Sequence, residues 1–222
     1  SLIDAIEAGQ VHAQIVAVIS NKKDADALER ARKHGIKDLF IDPKLFTGRP
    51  DSREAYDRSL LEVLQQHNVE LVLLAGYMKI VTAVLVNAYA NHMMNIHPSL
   101  LPSFPGLDVQ KKAIDWGCKL AGCTVHFVTE GVDEGPIIIQ AAVPILDDNG
   151  FKVVMDAMPT EPRMEVLRRE RDAALRDRGD FERDRAALVA CLRAVWRDGC
   201  DHGAIAAAVK ALPDHLRTEV ER

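Results

Sequence analysis

The run Leu71-Val72-Leu73-Leu74-Ala75 is apolar at every position and is followed directly by Gly76. A strand that short, with no polar side, has to be covered on both faces, as an inner strand of a parallel sheet is. The flanking sequence supplies the rest of such a sheet. Residues 15–20, 38–41, 93–97, 123–129 and 137–145 read as further strands, and residues 2–8, 23–34, 52–66, 83–90 and 109–116 as helices. Strand–helix alternation at this spacing predicts an α/β fold, a mostly parallel sheet with helices on both faces. The chain opens on a helix, whereas a doubly wound fold ordinarily opens on a strand and a ligand-binding turn. Ser1 in place of Met reads as an internal start.

The sequence changes character near residue 149. Residues 1–149 carry 9 Lys and 5 Arg against 19 acidic residues, and residues 150–222 carry 2 Lys and 12 Arg against 14. The switch falls at Asp147-Asp148-Asn149-Gly150, a turn-like stretch. Two regions are therefore expected, 1–149 and 150–222. The second reads as helical: Met164, Leu167 and Leu175 mark one apolar stripe, Leu188, Leu192 and Val195 another, and residues 204–212 a short helix ended by Pro213. Its plainest reading is a solvated helical segment of unknown origin, with self-association through the stripes as the sharper one.

The overall charge of −5 argues against a general binder of nucleic acid or of an anionic membrane. No apolar run approaches the roughly 20 residues of a membrane span. Residues 1–15 lack the pattern of a signal peptide, and Cys118, Cys123, Cys191 and Cys200 form no CxxC pair, so reduced thiols in a cytoplasm are expected. No phosphate loop, dinucleotide fingerprint, HExxH zinc motif or G-x-S-x-G elbow occurs. No metal is expected.

The densest chemical signal is Asn95-Ile96-His97-Pro98. Asn95 and His97 are two apart at the end of a strand, so both side chains share one face and Ile96 takes the other. Pro98 ends the ladder. An amide donor beside an imidazole suits stabilisation of a tetrahedral oxyanion, and ligands bind at the carboxyl ends of strands in open α/β sheets. The alternative is a histidine that caps the strand end. Asp133, held in the tight loop before Gly135-Pro136, could pair with His97 and favour its protonated form, or could be an ordinary turn aspartate. His126 reads as a hydrogen-bonded core or rim histidine rather than a catalyst. Backbone groups of the loop Gly76-Tyr77-Met78-Lys79-Ile80-Val81 could read a flat heterocycle, or form a plain strand-to-helix turn. Asp51 or Ser52 could cap the helix that follows, and Arg53 on its first turn could clamp a carboxylate.

Taken together, these segments resemble the phosphoribosylglycinamide formyltransferases, folate-dependent enzymes of purine synthesis. The resemblance runs over residues 1–148 and rests on Ser20-Asn21-Lys22, Leu28-Glu29-Arg30-Ala31, residues 51–57, 73–80 and 95–102, Gly106-Leu107, residues 125–128 and Asp133-Glu134-Gly135-Pro136. The methionyl-tRNA formyltransferases and formyltetrahydrofolate deformylases differ in the segment after His97. The resemblance implies a Rossmann-like formyltransferase sheet. It implies transfer of a formyl group from 10-formyltetrahydrofolate, as cosubstrate, to the amine of glycinamide ribonucleotide. Asn95 and protonated His97 would stabilise the oxyanion, and Asp133 would hold His97 charged and help move a proton. Arg53, Met78, Lys79, Ile80, Val81 and Asn95 would lie on the folate side. Against the family pattern, the chain begins inside the helix that follows the first strand and phosphate loop, and Gln110 stands where histidine is common. Residues 1–149 are thus expected to be an N-terminally truncated formyltransferase domain. Two alternatives stay open: a non-catalytic folate-binding fragment, and a formyltetrahydrofolate hydrolase.

Overall fold

The structure, a computed structural model, describes residues 2–9, 11–145 and 205–211. In chain order the strands are β1 (Ala13–Ser20), β2 (Lys37–Phe40), β3 (Leu71–Ala75), β4 (Met93–His97), β5 (Leu120–Phe127), β6 (Ile137–Pro144) and β7 (Ile205–Ala211). The helices are α1 (Leu2–Glu7), α2 (Asp26–Lys33), α3 (Ser52–Gln66), α4 (Ala83–Ala88) and α5 (Val109–Asp115), with a 3-10 turn at Pro43–Phe46. Every strand and helix expected in residues 1–145 is present, with ends that differ by a few residues.

The strands form one sheet in the order β2-β1-β7-β3-β4-β5-β6. β1, β2, β3, β4 and β6 run one way, and β5 and β7 run against them. The apolar run of β3 divides between the two sides of the sheet. Leu71 and Leu73 join Leu2, Leu28, Met94, Ile96 and Val125 on the α1/α2 side. Val72 and Leu74 join Tyr56, Leu60, Leu64, Leu85 and Met93 on the α3/α4 side. Period-two alternation therefore feeds two cores at once, which is why β3 has no polar position.

One element departs from expectation. Residues 204–212 read as a short helix from their alanines, yet Ile205–Ala211 is a strand, antiparallel to both β1 and β3. The inner edges of β1 and β3 present rows of N–H and C=O groups that need partners at the centre of the sheet. Pairing on both sides outweighs the modest helix preference of alanine. The remaining residues of the expected helical segment, with their two apolar stripes, lie outside the described residues. Cys118 and Cys123 form no disulfide.

Register places the chemistry. β3 and β4 pair in parallel with Ala75 opposite Ile96, so the loop after Gly76 leaves the sheet beside the end of β4. β5 returns antiparallel to β4 and sets His126 opposite Asn95 and Thr124 opposite His97. Residues directly opposite share a face. Asn95, His97, Thr124 and His126 therefore form a polar square at the rim of the α3/α4 side, continuing the row that begins at Val72 and Leu74.

Candidate active site

His97 is buried, and both of its ring nitrogens face acceptors. Nε2 lies 2.9 Å from the backbone oxygen of Phe104, and Nδ1 lies 3.3 Å from Oδ2 of Asp133. A carbonyl oxygen carries no proton, so Nε2 must donate. A carboxylate oxygen stands at ion-pair distance from the other nitrogen. Asp133 projects from the β5–β6 loop in the left-handed conformation, φ 56°, which aspartate accepts more readily than most residues. The same Oδ2 accepts the N–H of Gly106 at 2.9 Å. Burial pushes the Asp133 carboxyl upward, but the His126 imidazole, the Gly106 N–H and His97 outweigh it and hold the group below the usual carboxylate range. An imidazole and a carboxylate held this close and largely out of solvent are groups from which an oxyanion stabiliser can be built.

Asn95 lies beside this pair. Its Nδ2 is 3.2 Å from Nε2 of His126, whose Nδ1 is 2.9 Å from the Phe127 oxygen. His126 is nearly fully buried and also lies 3.6 Å from Oδ1 of Asp133, an ion-pair distance rather than a hydrogen bond. Asn95, His97 and Asp133 thus converge as the sequence led us to expect. His126 joins them, although its alternation with Thr124 marked only a shared face. The missing information was the antiparallel register that sets His126 against Asn95.

A rigid polar frame lies underneath. The Thr124 hydroxyl is inaccessible; it accepts the Leu101 N–H at 3.0 Å and Gln140 Nε2 at 2.9 Å, and donates to the Ser99 oxygen at 2.7 Å. Gln140 also donates to the Leu101 oxygen at 2.8 Å. The Ser99 hydroxyl lies 2.6 Å from the Ser103 oxygen and 3.1 Å from that of Phe104. These bonds fix the loop that supplies the Phe104 carbonyl and the Gly106 N–H. On the opposite side, a Cβ at Gly135 would overlap the Phe127 carbonyl, so only glycine lets the Asp133 loop close onto β5.

The loop after β3 borders the same rim. Met78 and Ile80 are about half exposed, while Val81 turns into the α3/α4 core. The Lys79 ammonium stands 5.5 Å from the centre of the Tyr56 ring. The loop is tied to α3 by Asp57, which is 2% exposed and whose Oδ2 accepts the Thr82 N–H at 2.6 Å. Burial drives the Asp57 carboxyl up, the Thr82 contact opposes it, and the net shift is upward. Burial also pushes the Tyr56 phenol to about 12, with Asp57 adding to the effect, and drives Tyr77 further still. The hydroxyls of Tyr56, Tyr77 and Thr82 have no hydrogen-bond partner among the described residues. Sequence reasoning gave Asp57 no role. Asp51, expected as a helix cap, makes no capping bond; it pairs with Arg49 at 3.1 Å and Arg58 at 2.6 Å, which occupy its carboxylate. Arg53 is exposed on the first turn of α3. None of its contacts joins it to the His97 cluster among the described residues.

The arrangement offers an apolar, partly exposed loop next to an amide donor and an imidazole–carboxylate pair. That set fits a flat ring held against the loop with a reacting carbonyl at Asn95 and His97. Among the described residues no group of three or more His, Cys, Asp or Glu is placed to hold a metal ion, and no helix is long and apolar enough to cross a membrane.

Comparison with known proteins gives a consistent result. The family model described as formyl transferase matches residues 1–167. Phosphoribosylglycinamide formyltransferase of Bacillus subtilis is 41% identical over 142 residues, covering 64% of this chain and 71% of that protein. The trifunctional purine biosynthetic protein adenosine-3 of Drosophila melanogaster is 50% identical over 151 residues, and the match spans 67% of this chain but 11% of that protein. The crystal structure of glycinamide ribonucleotide transformylase 1 from Symbiobacterium toebii superposes with a TM-score of 0.66 at 41% identity, over 85% of this chain and 80% of that one.

Proposed function

Because this chain belongs to the formyl transferase family, we propose that it moves a formyl group from 10-formyltetrahydrofolate to the amine of glycinamide ribonucleotide, a step of purine assembly in the cytoplasm. The observation that carries this reading is the convergence of Asn95, His97 and Asp133 on one rim of the sheet. Names of relatives alone would support a fold and a family; this constellation supports a chemistry.

Each residue has a distinct task. The amine attacks the formyl carbon, whose carbonyl oxygen gains negative charge; when that oxygen re-forms the carbonyl, the bond from the formyl carbon to N10 of the folate breaks, and N10 leaves as an amine, gaining one proton for the one the attacking nitrogen gives up. An N–H of Asn95 donates to that oxygen, and the His97 imidazolium stabilises the charge through its fixed positive field. Asp133 holds His97 charged and accepts a proton as the attacking nitrogen loses one, through a water at the rim. Met78 and Ile80 give the pterin ring an apolar surface, and the backbone between Gly76 and Val81 reads its polar edge. Arg53 on α3 pairs with a carboxylate of the folate tail. Residues 1–149 supply every side chain of this chemistry, on a sheet that β7 completes between β1 and β3.

The test is an assay of the full chain with 10-formyltetrahydrofolate, with and without glycinamide ribonucleotide. Formylated ribonucleotide, formed only when the amine is present, supports transfer. Formate released at an equal rate without the amine makes the protein a hydrolase, and folate binding with no turnover makes it a binding module.

A further inference from the structure

We propose that Asp57 is a positioning residue for the formyl donor: its clasp on the Thr82 N–H sets the shape of the loop after β3 before 10-formyltetrahydrofolate arrives. This rests on the formyl-transfer reading above and deepens it.

The loop leaves β3 after Ala75 and reaches α4 at Ala83. Met78, Lys79 and Ile80 are all exposed, so burial does little to define their path. The anchors lie elsewhere. Val81 enters the α3/α4 core, and the Thr82 N–H meets Oδ2 of Asp57 at 2.6 Å. Leu85 and Val86 donate their N–H groups to the Thr82 oxygen. Thr82 is therefore gripped by both of its backbone groups, the N–H by α3 and the C=O by α4. Nearer the middle of the loop, the Lys79 ammonium stands 5.5 Å from the centre of the Tyr56 ring, within cation–π range. Phe46 backs that ring edge-on at 5.6 Å. Tyr56 and Asp57 are neighbours on α3, one turn beyond Arg53. A single stretch of helix thus carries two anchors of the loop and the cation placed above on the folate tail.

A carboxylate is not the stabiliser this position would favour. Asp57 is 2% exposed, and burial raises its carboxyl despite the Thr82 contact. What the contact does supply is direction. It fixes the point where the loop ends and α4 begins. A loop fixed there has less freedom to lose when a ring settles on Met78 and Ile80, and such preorganisation appears as affinity. Loss of the clasp therefore weakens donor binding and leaves the chemistry at His97 in place.

Two measurements on the full chain test this. Amide hydrogen exchange on the free protein should show the Thr82 N–H protected relative to those of Met78 and Ile80. Rapid exchange at Thr82 overturns the proposal, because the clasp is then open before the donor binds. The second measurement is tetrahydrofolate affinity by fluorescence quenching, with KM for the donor and for glycinamide ribonucleotide. Asp57→Ala should weaken tetrahydrofolate binding and raise the donor KM about tenfold, a typical coupling between two contacts. The ribonucleotide KM, and kcat at saturating donor, should change little. Asp57→Asn keeps an acceptor for the Thr82 N–H and should bind tetrahydrofolate as the unaltered chain does. Leu28→Ala, a core truncation on the α1/α2 side, should lower the melting midpoint without touching that affinity. Unchanged affinity in Asp57→Ala overturns the proposal, as does an equal loss in Asp57→Asn or Leu28→Ala. Should Asp57→Ala fail to fold, Asp57→Glu, which moves the acceptor by one methylene, takes its place with the same expectation. A chain that binds tetrahydrofolate but transfers no formyl group ends the activity assigned above, while affinity and exchange still judge Asp57. A chain that binds no tetrahydrofolate overturns both.

Discussion

The Asp133 carboxylate stands 3.3 Å from Nδ1 of His97 and takes the Gly106 N–H on the same oxygen. One atom therefore contacts both the His97 imidazole and the loop that carries the second His97 partner, Phe104. Asp133→Asn keeps the shape and one acceptor but cannot balance the ring charge. We expect it to lower turnover by about 10²–10³, the range seen when a preorganised electrostatic group is lost. His97→Ala should fall at least as far. Folate affinity, measured by fluorescence quenching, should change little in either; a parallel loss of affinity would assign both residues to binding instead.

The depressed Asp133 carboxyl also makes stability depend on pH. Its folded value lies below the unfolded one, about 3.9, so its contribution is complete above that pH and is lost as pH falls through the folded value. Denaturant midpoints of the unaltered chain and Asp133→Asn should differ by a constant amount from pH 7 to about 5. They should converge only in the acid range. A gap that closes near neutrality would show that the stabilising contact belongs to another group.

Asp57 carries the opposite sign. Burial raises its folded value above the unfolded one, so its charge costs stability at neutral pH, and the cost disappears as pH falls below the unfolded value. Asp57→Asn retains an acceptor for the Thr82 N–H and removes the charge, and it should raise the midpoint at pH 7 with a gain that fades by about pH 4. Asp57→Ala leaves that N–H unpaired and should cost about 1–3 kcal/mol. A melt series on the two variants separates these effects.

Thr124→Val is nearly isosteric but removes a buried hydroxyl that serves Ser99, Leu101 and Gln140. Leaving the Leu101 N–H and the Gln140 amide short of an acceptor should cost about 1–3 kcal/mol in urea unfolding, with an unchanged slope. Because this frame carries the Phe104 carbonyl, kcat should fall as well. A stability loss with full kcat would detach the frame from the chemistry.

Gly135→Ala drives a methyl into the Phe127 carbonyl. Relief requires the Asp133 loop to lift from β5, at about 1–3 kcal/mol for a strained insertion. Both thermal midpoint and turnover should drop, whereas Gly9→Ala, strained by its φ of 68° but with nothing within reach of the new atom, should lower the midpoint and leave turnover intact.

The elements readable from sequence were those whose signal is local. The wholly apolar run at residues 71–75 defined β3, and alternation through residues 93–97 defined β4 and put Asn95 and His97 on one face. Asp133 was readable as a loop carboxylate near a histidine. What escaped depended on distant partners. His126 acquires its place from the reversed direction of β5, which no window around residue 126 contains. Asp57 looks like any helix residue until the Thr82 N–H arrives from another loop. Residues 205–211 favour helix by themselves and form β7 because β1 and β3 offer edges to pair with.

The reversed β5 has an evolutionary consequence. Shifting it by a single residue against β4 would turn His126 and Thr124 to the α1/α2 side and bring Cys123 and Val125 across to meet Asn95 and His97. The oily residues that forbid such slippage thus guard the catalytic alignment as well. Selection for a durable interior would preserve the reaction geometry in any descendant that keeps this pairing, even before selection acts on turnover.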